Sequence, residues 1–422
     1  MKLLSLKRQL LVPVLLVIGA LAAFARELVI ANRLGDSLGA DIFRVAYSLP
    51  NYMTQTLGTL LTTVIVGLLI RTSSREAKVY IFYKVSAVVV VVSLIGMATV
   101  EWQLQLLYPG FEADDSLLRQ MAICWLMFMI AGLTLFPRAD LNLQGYRWPA
   151  ASSQLFRAAV FILSFLIIDF FGADIVDALI WSAVISSTPL LATHWRGIKK
   201  WLPLALKGFE RVYAPVLAGI GLAGLLQLIS SAPRFIDRYF ASEFLPGAIA
   251  IVEYSYGISL LAVGLAVNTL AIAIIPKISE GGFSFFSRRR ALGLAVLGFS
   301  LVLCVFIFIL MRHADKLVDI FFFMIEISDE SKAGMSRVLQ AQLSVAPVVV
   351  LSGFLCHFYV AQNKYIFPVA AAAIKVIAKV SFFIMVPVLG YDVFANSYIL
   401  AEVAFFIILA LGVVKYSKEK QC

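Results

Sequence analysis

Charged side chains inside apolar segments are the groups of this sequence that could do chemistry. A charge within a membrane is costly, so it usually pairs with another charge or lines a water-filled site. Nine such residues stand out, because neither a position near a helix end nor a lone packing contact explains them. The cations are Arg26, Arg44, Arg234, Arg238, Lys375 and Lys379, and the acids are Glu27, Asp237 and Glu253.

The six cations outnumber the three acids. A surplus of positive charge in a low-dielectric interior calls for water or for an anionic ligand. Guanidinium forks match phosphate oxygens in shape and charge. We therefore predict a cationic, water-filled cleft in which the six cations bind a phosphate group and the acids couple or gate the process. Buried ion pairs, such as Arg26 with an acid of the seventh span, are the alternative interpretation.

The composition identifies the elements that position these charges as membrane helices. Of 422 residues, 61% are hydrophobic and 14% are charged, and the mean hydropathy is +0.93. Soluble proteins are about half apolar and a quarter charged. The net charge of +10 fits the excess of basic residues in cytoplasmic loops, rather than nucleic-acid binding.

Other site chemistries have no support in the sequence. The four cysteines form no CxxC pair, so we predict neither a disulfide framework nor a metal site. No HExxH, Walker or GxSxG motif is present, so we predict no catalytic residue and no cofactor.

Twelve apolar runs are long enough to cross a bilayer as helices. Loops rich in Lys and Arg alternate with loops that carry Asp and Glu, which predicts that both termini are cytoplasmic. The predicted spans are roughly 10–32, 42–70, 79–100, 117–137, 150–171, 176–195, 212–242, 247–276, 291–311, 337–360, 366–389 and 393–414.

The two halves of the chain carry a weak internal repeat. In both, an acid lies four residues before an Ala, and then come a Gly-Ala pair and a Tyr. The first copy has Glu27 and Tyr47, and the second has Asp237 and Tyr256. Because both copies start on the same side, the repeats are parallel. We predict six-helix lobes at residues 1–200 and 212–422, joined by a cytoplasmic amphipathic linker at residues 201–211.

Three further charges have simpler interpretations. Lys84 and Arg157 lie within two turns of a predicted cytoplasmic helix end, so we expect their side chains to reach the interface. Glu402, in the last span, is interpreted as an isolated packing contact or as a neighbour of the lipid headgroups.

The stretch ARELVIANRLGDSLGADIFRVAYSLPN, residues 25–51, resembles a family signature. It is similar to the Arg-Asp, Asp-Ala-Phe and Leu-Pro-Asn signature of the MurJ/MviN-like flippases of the MOP exporter superfamily. The resemblance covers most of the chain. Its other motifs are YPGF at 108–111, LNLQGYRWPA at 141–150, IDRYFASEFLPGAIAIVEYSYGI at 236–258 and AIAIIPKIS at 271–279.

This resemblance implies an all-α integral membrane fold whose two lobes form a V around a central cationic cavity. It implies outward movement of undecaprenyl-diphosphate-linked saccharides by alternating access. Arg26 matches the family's essential Arg, Glu27 replaces the adjoining Asp, and Asp41 matches a functional Asp of the second helix. Asp41 therefore joins the candidate coupling or gating residues.

The sequence departs from the family pattern at three other arginine positions. Those positions fall here at Ala20, at Thr54 or Gln55, and near Gly257. The candidate substitutes are Arg44, Arg234 and Arg238.

The expected function is that of a monomeric flippase in the bacterial inner membrane, and the sequence leaves a proton, a sodium ion and the membrane potential open as its driving force. The cargo is an exopolysaccharide or O-antigen unit, or peptidoglycan lipid II. A cation-coupled drug or metabolite antiporter of the same superfamily is one alternative, and a membrane glycan polymerase or ligase is another.

Overall fold

The structure is a computed structural model, and within the residues it describes the regular secondary structure is helical. It describes residues 2–54, 62, 65–66, 69–70, 74–146, 148–201, 214–261, 305–323, 325, 327–361, 366–386 and 390–419. The chain divides into two compact units: unit 1 is Met1–Gln227 and unit 2 is Leu228–Cys422. The predicted domain boundaries remain a prediction. Trp201 belongs to a helix and is buried, while residues 202–211 lie outside the described residues.

The first nine helices belong to unit 1. They are α1 (Lys2–Leu34), α2 (Leu38–Tyr52), α3 (Arg75–Ala98), α4 (Val100–Leu107), α5 (Asp115–Gly132), α6 (Leu135–Leu143), α7 (Trp148–Phe170), α8 (Ile175–Ile185) and α9 (Thr188–Trp201).

The remaining described helices follow, and the first of them crosses the boundary between the units. They are α10 (Ala214–Ser242), α11 (Ala248–Leu261), α12 (Ala314–Phe322), α13 (Asp329–Ser344), α14 (Ala346–Ala361), α15 (Ile366–Met385) and α16 (Tyr391–Glu419).

Side-chain caps fix where several of these helices begin. Ser74 accepts a hydrogen bond from the backbone N–H of Ala77 at the start of α3. Asp174 accepts bonds from the two N–H groups of Val176 and Asp177 at the start of α8. Such caps satisfy donors that have no partner within the helix.

Membrane-length helices confirm the predicted class, and they confirm part of the predicted count. Within the described residues, seven helices are long and apolar enough to cross a membrane, or eight if α13 and α14, bent by 51°, form one span. Parts of the predicted spans 42–70, 247–276 and 291–311 lie outside those residues.

Two matching hairpins carry most of the charges of interest. The first joins α1 to α2 and turns at Gly35, whose φ is 55°. The second joins α10 to α11 and turns at Gly247, whose φ is 86°. A side chain disfavours such positive φ values, and glycine tolerates them.

In unit 1, helix α7 packs along α1 and runs in the same direction. A Cβ at Gly19 would lie 3.3 Å from Cβ of Gln154. Farther along, the guanidinium carbon of Arg26 lies 5.6 Å from the ring centre of Phe161. Near the other end, Arg33 pairs with Asp169 at 2.9 Å. The two helices therefore stay in parallel register over several turns.

In unit 2, Gly334 allows a close approach of α13 to α16. A Cβ at this position would overlap ring carbons of Tyr391. We expect Gly334→Ala to destabilise the protein by about 1–3 kcal/mol, since the ring must shift to make room. The midpoint of thermal unfolding of the purified protein in detergent measures this effect.

Gly257→Ala is the matched control, because no atom of the described residues, apart from its own stretch of helix, lies within 4 Å of a Cβ built there. The added methyl group favours the helix at Gly257. If Gly334→Ala melts at the same temperature as Gly257→Ala, the close contact between Gly334 and Tyr391 does not limit the size of the side chain at position 334.

Candidate functional site

A single carboxylate joins two arginines in the first hairpin. Oε1 of Glu27 accepts a hydrogen bond from Nη2 of Arg26 at 2.5 Å, and its Oε2 accepts one from Nη2 of Arg44 at 2.6 Å. Arg26 and Arg44 are 9% and 5% exposed. We call these three residues the Glu27 bridge. It holds two guanidinium groups and one carboxylate, so it has one positive charge in excess.

Tyr47 completes the bridge, and the charge pattern of the sequence did not identify it. It lies three residues after Arg44 and therefore on the same face of α2. Its hydroxyl accepts a hydrogen bond from Nη1 of Arg26 at 3.0 Å. The internal repeat did include Tyr47, and this was the sequence signal that could have identified it.

Asp41 lies in the first turn of α2, where a negative charge is favoured by the helix dipole. It is 1% exposed and stands three residues before Arg44, so the two residues are close on one helix face.

In unit 2, Lys379 and Asp237 form a deeply buried pair. Nζ of Lys379 donates to Oδ2 of Asp237 at 2.6 Å, and the two side chains are 0% and 3% exposed. The hydroxyl of Tyr256 donates to the same oxygen at 2.6 Å. A buried pair of this kind depends on both partners, because either charge alone is strongly unfavourable there.

Two further pairs lie nearby in the same unit. Arg238 pairs with Glu253 at 2.9 Å, with side chains 9% and 11% exposed. Lys375 pairs with Glu402 at 2.5 Å. The interpretation of Glu402 as an isolated packing contact is therefore wrong, since a carboxylate on α16 meets an ammonium on α15.

Arg234 differs from the other five predicted binding cations. Its guanidinium carbon lies 4.9 Å from the ring centre of Tyr256, as expected of a cation–π contact. Among the residues that the structure describes, it has no acidic partner. Ion pairing thus accounts for five of the six cations, and Arg234 is the one that has no acidic partner among the described residues.

The two hairpins make the same contacts with every charge inverted. In each, the first residue of a charged dipeptide contacts the repeat tyrosine: Arg26 bonds Tyr47, and Asp237 bonds Tyr256. The second residue pairs with the residue three before that tyrosine. These second pairs are Glu27 with Arg44 and Arg238 with Glu253.

These contacts shift the alignment of the repeat by one residue. The sequence matched Glu27 with Asp237 because both are acids. By contact, Arg26 corresponds to Asp237, and Glu27 corresponds to Arg238.

The interpretation of Arg157 as a residue that reaches the interface is wrong. Arg157 is 9% exposed, and its Nη2 donates to the sulfur of Met127 at 3.5 Å. Lys84, for which the same was expected, is exposed.

Comparison with known proteins identifies the family. The family model described as "Lipid II flippase MurJ" matches residues 30–420. The chain belongs to the MurJ family. A probable lipid II flippase MurJ of Rhizobium tropici is 24% identical over 280 residues, which cover 61% of this chain and 52% of that protein. The matched stretch thus spans about half the length of that relative.

Solved structures show the same fold. A lipid II flippase MurJ in an inward closed conformation matches with a TM-score of 0.79 and 16% identity, over 96% of this chain and 87% of that one. A mutant MATE transporter VcmN of Vibrio cholerae matches with a TM-score of 0.69 and 14% identity, over 98% and 97% of the two chains. The chain is therefore a multi-pass membrane protein of the MurJ and MATE fold.

Proposed function

We propose that this MurJ-family chain is a flippase for a polyprenyl-diphosphate-linked saccharide. It moves its cargo from the inner to the outer leaflet of the bacterial cytoplasmic membrane by alternating access, as a monomer with both termini in the cytoplasm. The observation that carries the proposal is the family match over residues 30–420. The guanidinium of Arg234, which has no acidic partner among the described residues, supports it, because the diphosphate is the charged part of such a cargo.

In this proposal the diphosphate binds the predicted cations, and the acids couple or gate the transport cycle. Arg234 makes a first contact, since it has no acidic partner among the described residues, and Arg26 and Arg44 join it, since they share one carboxylate. Arg238, Lys375 and Lys379 contribute where a phosphate oxygen competes with their carboxylate partners. The candidate coupling or gating residues, which a proton or a sodium ion would act on, are Glu27, Asp41, Asp237 and Glu253.

Replacing Arg26 with Ala tests the proposal. We expect delivery of lipid-linked glycan to the outer leaflet to fall at least about 10-fold, because a hydrogen bond between charged groups contributes ~1.5–3 kcal/mol. Arg234→Ala should have a similar effect. The assay measures the lipid-linked glycan accessible at the outer surface of cells with matched expression.

Arg33→Ala is the control for this experiment. Arg33 lies two turns after Arg26 on α1 and forms a more exposed pair with Asp169, so we expect transport to persist. Undiminished delivery by both Arg26→Ala and Arg234→Ala would overturn the proposal.

The sugar composition of the glycan distinguishes lipid II from an exopolysaccharide or O-antigen unit. We propose that the cargo belongs to one of these classes. Depleting the protein identifies which one, because the lipid-linked intermediate that is not transported accumulates. Mass spectrometry of extracted lipids then reports the sugar composition.

A cation-coupled antiporter is the second candidate, because the fold is shared with MATE transporters. A cation carrier needs an acidic site that is open to its substrate. In unit 2 the carboxylates of Asp237, Glu253 and Glu402 each already hold a cation of the protein. The charge of the described site therefore favours an anionic cargo.

A further inference from the structure

Arg157 is a buried cation that the proposed diphosphate site does not yet use. Its side chain is 9% exposed on α7. Within the part of the chain that the structure describes, no carboxylate pairs with it, and its Nε has no hydrogen-bond partner. Its Nη2 donates to the thioether of Met127, which is a weak acceptor. Such a group calls for an anion, since a buried charge is unfavourable without a partner.

The helix register places Arg157 close to the Glu27 bridge. Arg26 on α1 lies level with Phe161 on α7. Arg157 precedes Phe161 by one helical turn, which is about 6 Å along the axis. Arg157 is therefore one turn from the level of Arg26, toward the end at which both helices begin.

Two aromatic residues contact Arg26 beside α7. Arg26 donates a hydrogen bond to the hydroxyl of Tyr47 at 3.0 Å, and its guanidinium carbon lies 5.6 Å from the ring centre of Phe161. Phe161 is one turn from Arg157 on the same helix, so the two arginines lie on neighbouring helices one turn apart.

The enlarged cluster has more cations than acids. Arg26, Arg44 and Arg157 supply three guanidinium groups, and the acids beside them are Glu27 and the buried Asp41, which stands three residues before Arg44. Counted with Asp41, the bridge is neutral, and Arg157 gives the cluster its positive excess. A diphosphate has two phosphoryl groups, so it can contact cations at two separate places.

We propose that Arg157 is the third phosphate-binding arginine of unit 1, which binds one phosphoryl group of the diphosphate while Arg26 and Arg44 bind the other. This inference rests on the proposed function. A phosphate oxygen replaces the thioether of Met127, because a charged acceptor binds a guanidinium far more strongly. The arrangement predicts a preference for diphosphates over monophosphates.

The test compares farnesyl diphosphate with farnesyl monophosphate, which share one lipid tail. Each is titrated into the purified full-length protein in detergent, and thermal stabilisation gives the apparent affinity. We expect the unmodified protein to prefer the diphosphate. Arg157→Met should lower diphosphate affinity at least about 10-fold, from the loss of a charge-assisted hydrogen bond, and should change monophosphate affinity little. Arg157→Lys should retain part of the preference.

Two controls separate binding from folding. Arg33→Met lies on the same pair of helices and should bind both lipids normally. Without lipid, Arg157→Met should melt no lower than the unmodified protein, because an apolar side chain replaces a buried charge that has no carboxylate.

Several outcomes would overturn the inference. They are unchanged diphosphate preference in Arg157→Met, equal loss of affinity for both lipids together with a lower melting temperature, or no diphosphate preference in the unmodified protein. A transport assay distinguishes failure of this inference from failure of the proposed function. If Arg157→Met transports normally while Arg26→Ala does not, the inference fails and the flippase function stands.

Discussion

Replacing Lys379 with Met should destabilise the protein by about 3–5 kcal/mol, because it leaves the carboxylate of Asp237 buried without a cation. The two side chains are 0% and 3% exposed, so water cannot take the place of the ammonium group. The hydroxyl of Tyr256 remains as a donor to Asp237, but it supplies no charge. The thermal unfolding midpoint in detergent measures the loss.

The double variant Lys379→Met/Asp237→Asn should regain much of that loss. It removes both charges, and the Asn side chain still accepts a hydrogen bond from Tyr256. A double-mutant cycle then gives the coupling energy of the pair. Equal stability of the single and double variants would contradict a buried charge pair.

The exposed pair of Arg337 and Asp392 is the control within unit 2. Its nitrogen and oxygen lie 3.0 Å apart, but the side chains are 57% and 68% exposed. We expect Arg337→Met to change stability by at most about 1 kcal/mol. The contrast isolates burial as the cause of the Lys379 effect.

Glu27→Gln should also cost about 3 kcal/mol, since Arg26 and Arg44 then lie close together without a carboxylate. The amide keeps the shape of the side chain but loses its charge. Unfolding of the purified protein in detergent again gives the measurement. Glu27→Gln/Arg44→Met should recover stability, because one of the two facing cations is removed.

Adding an anionic lipid to Glu27→Gln tests whether the Glu27 bridge binds anions or is only a structural pair. Farnesyl diphosphate should stabilise Glu27→Gln more than the unmodified protein, because the competing carboxylate is gone. Stabilisation reaches about 2.7 kcal/mol when the ligand is at 100 times its dissociation constant. Asp169→Asn, which alters the more exposed pair with Arg33, should show no added response. The absence of any difference between these variants would leave the Glu27 bridge as a structural pair alone.

The sequence predicted the elements of this protein better than it predicted their partners. Apolar length alone located the membrane helices, because a bilayer fixes how many apolar residues a span needs. The charges within those spans identified Arg26, Glu27 and Arg44 as candidates but not as partners. The one pairing named for Arg26 was with an acid of the seventh span, whereas the structure pairs it with Glu27.

Partners on distant helices could not be predicted in the same way. Lys375 and Glu402 are 27 residues apart, and which faces of α15 and α16 meet depends on packing. Arg157 lies near enough to a helix start for its side chain to reach the interface. Only its position against Met127 of α5 shows that it is buried. Helix length and charge spacing contain no information about these contacts.

The inverted charges of the two hairpins limit which charge substitutions each hairpin tolerates. A single substitution that reverses the sign of Glu27, Arg44, Arg238 or Glu253 sets two like charges against each other. Either hairpin can therefore exchange its polarity without setting like charges together only if both residues of a pair change at once or if one of them first becomes neutral. The inverted pairs thus keep the two hairpins electrically distinct against single reversals of charge.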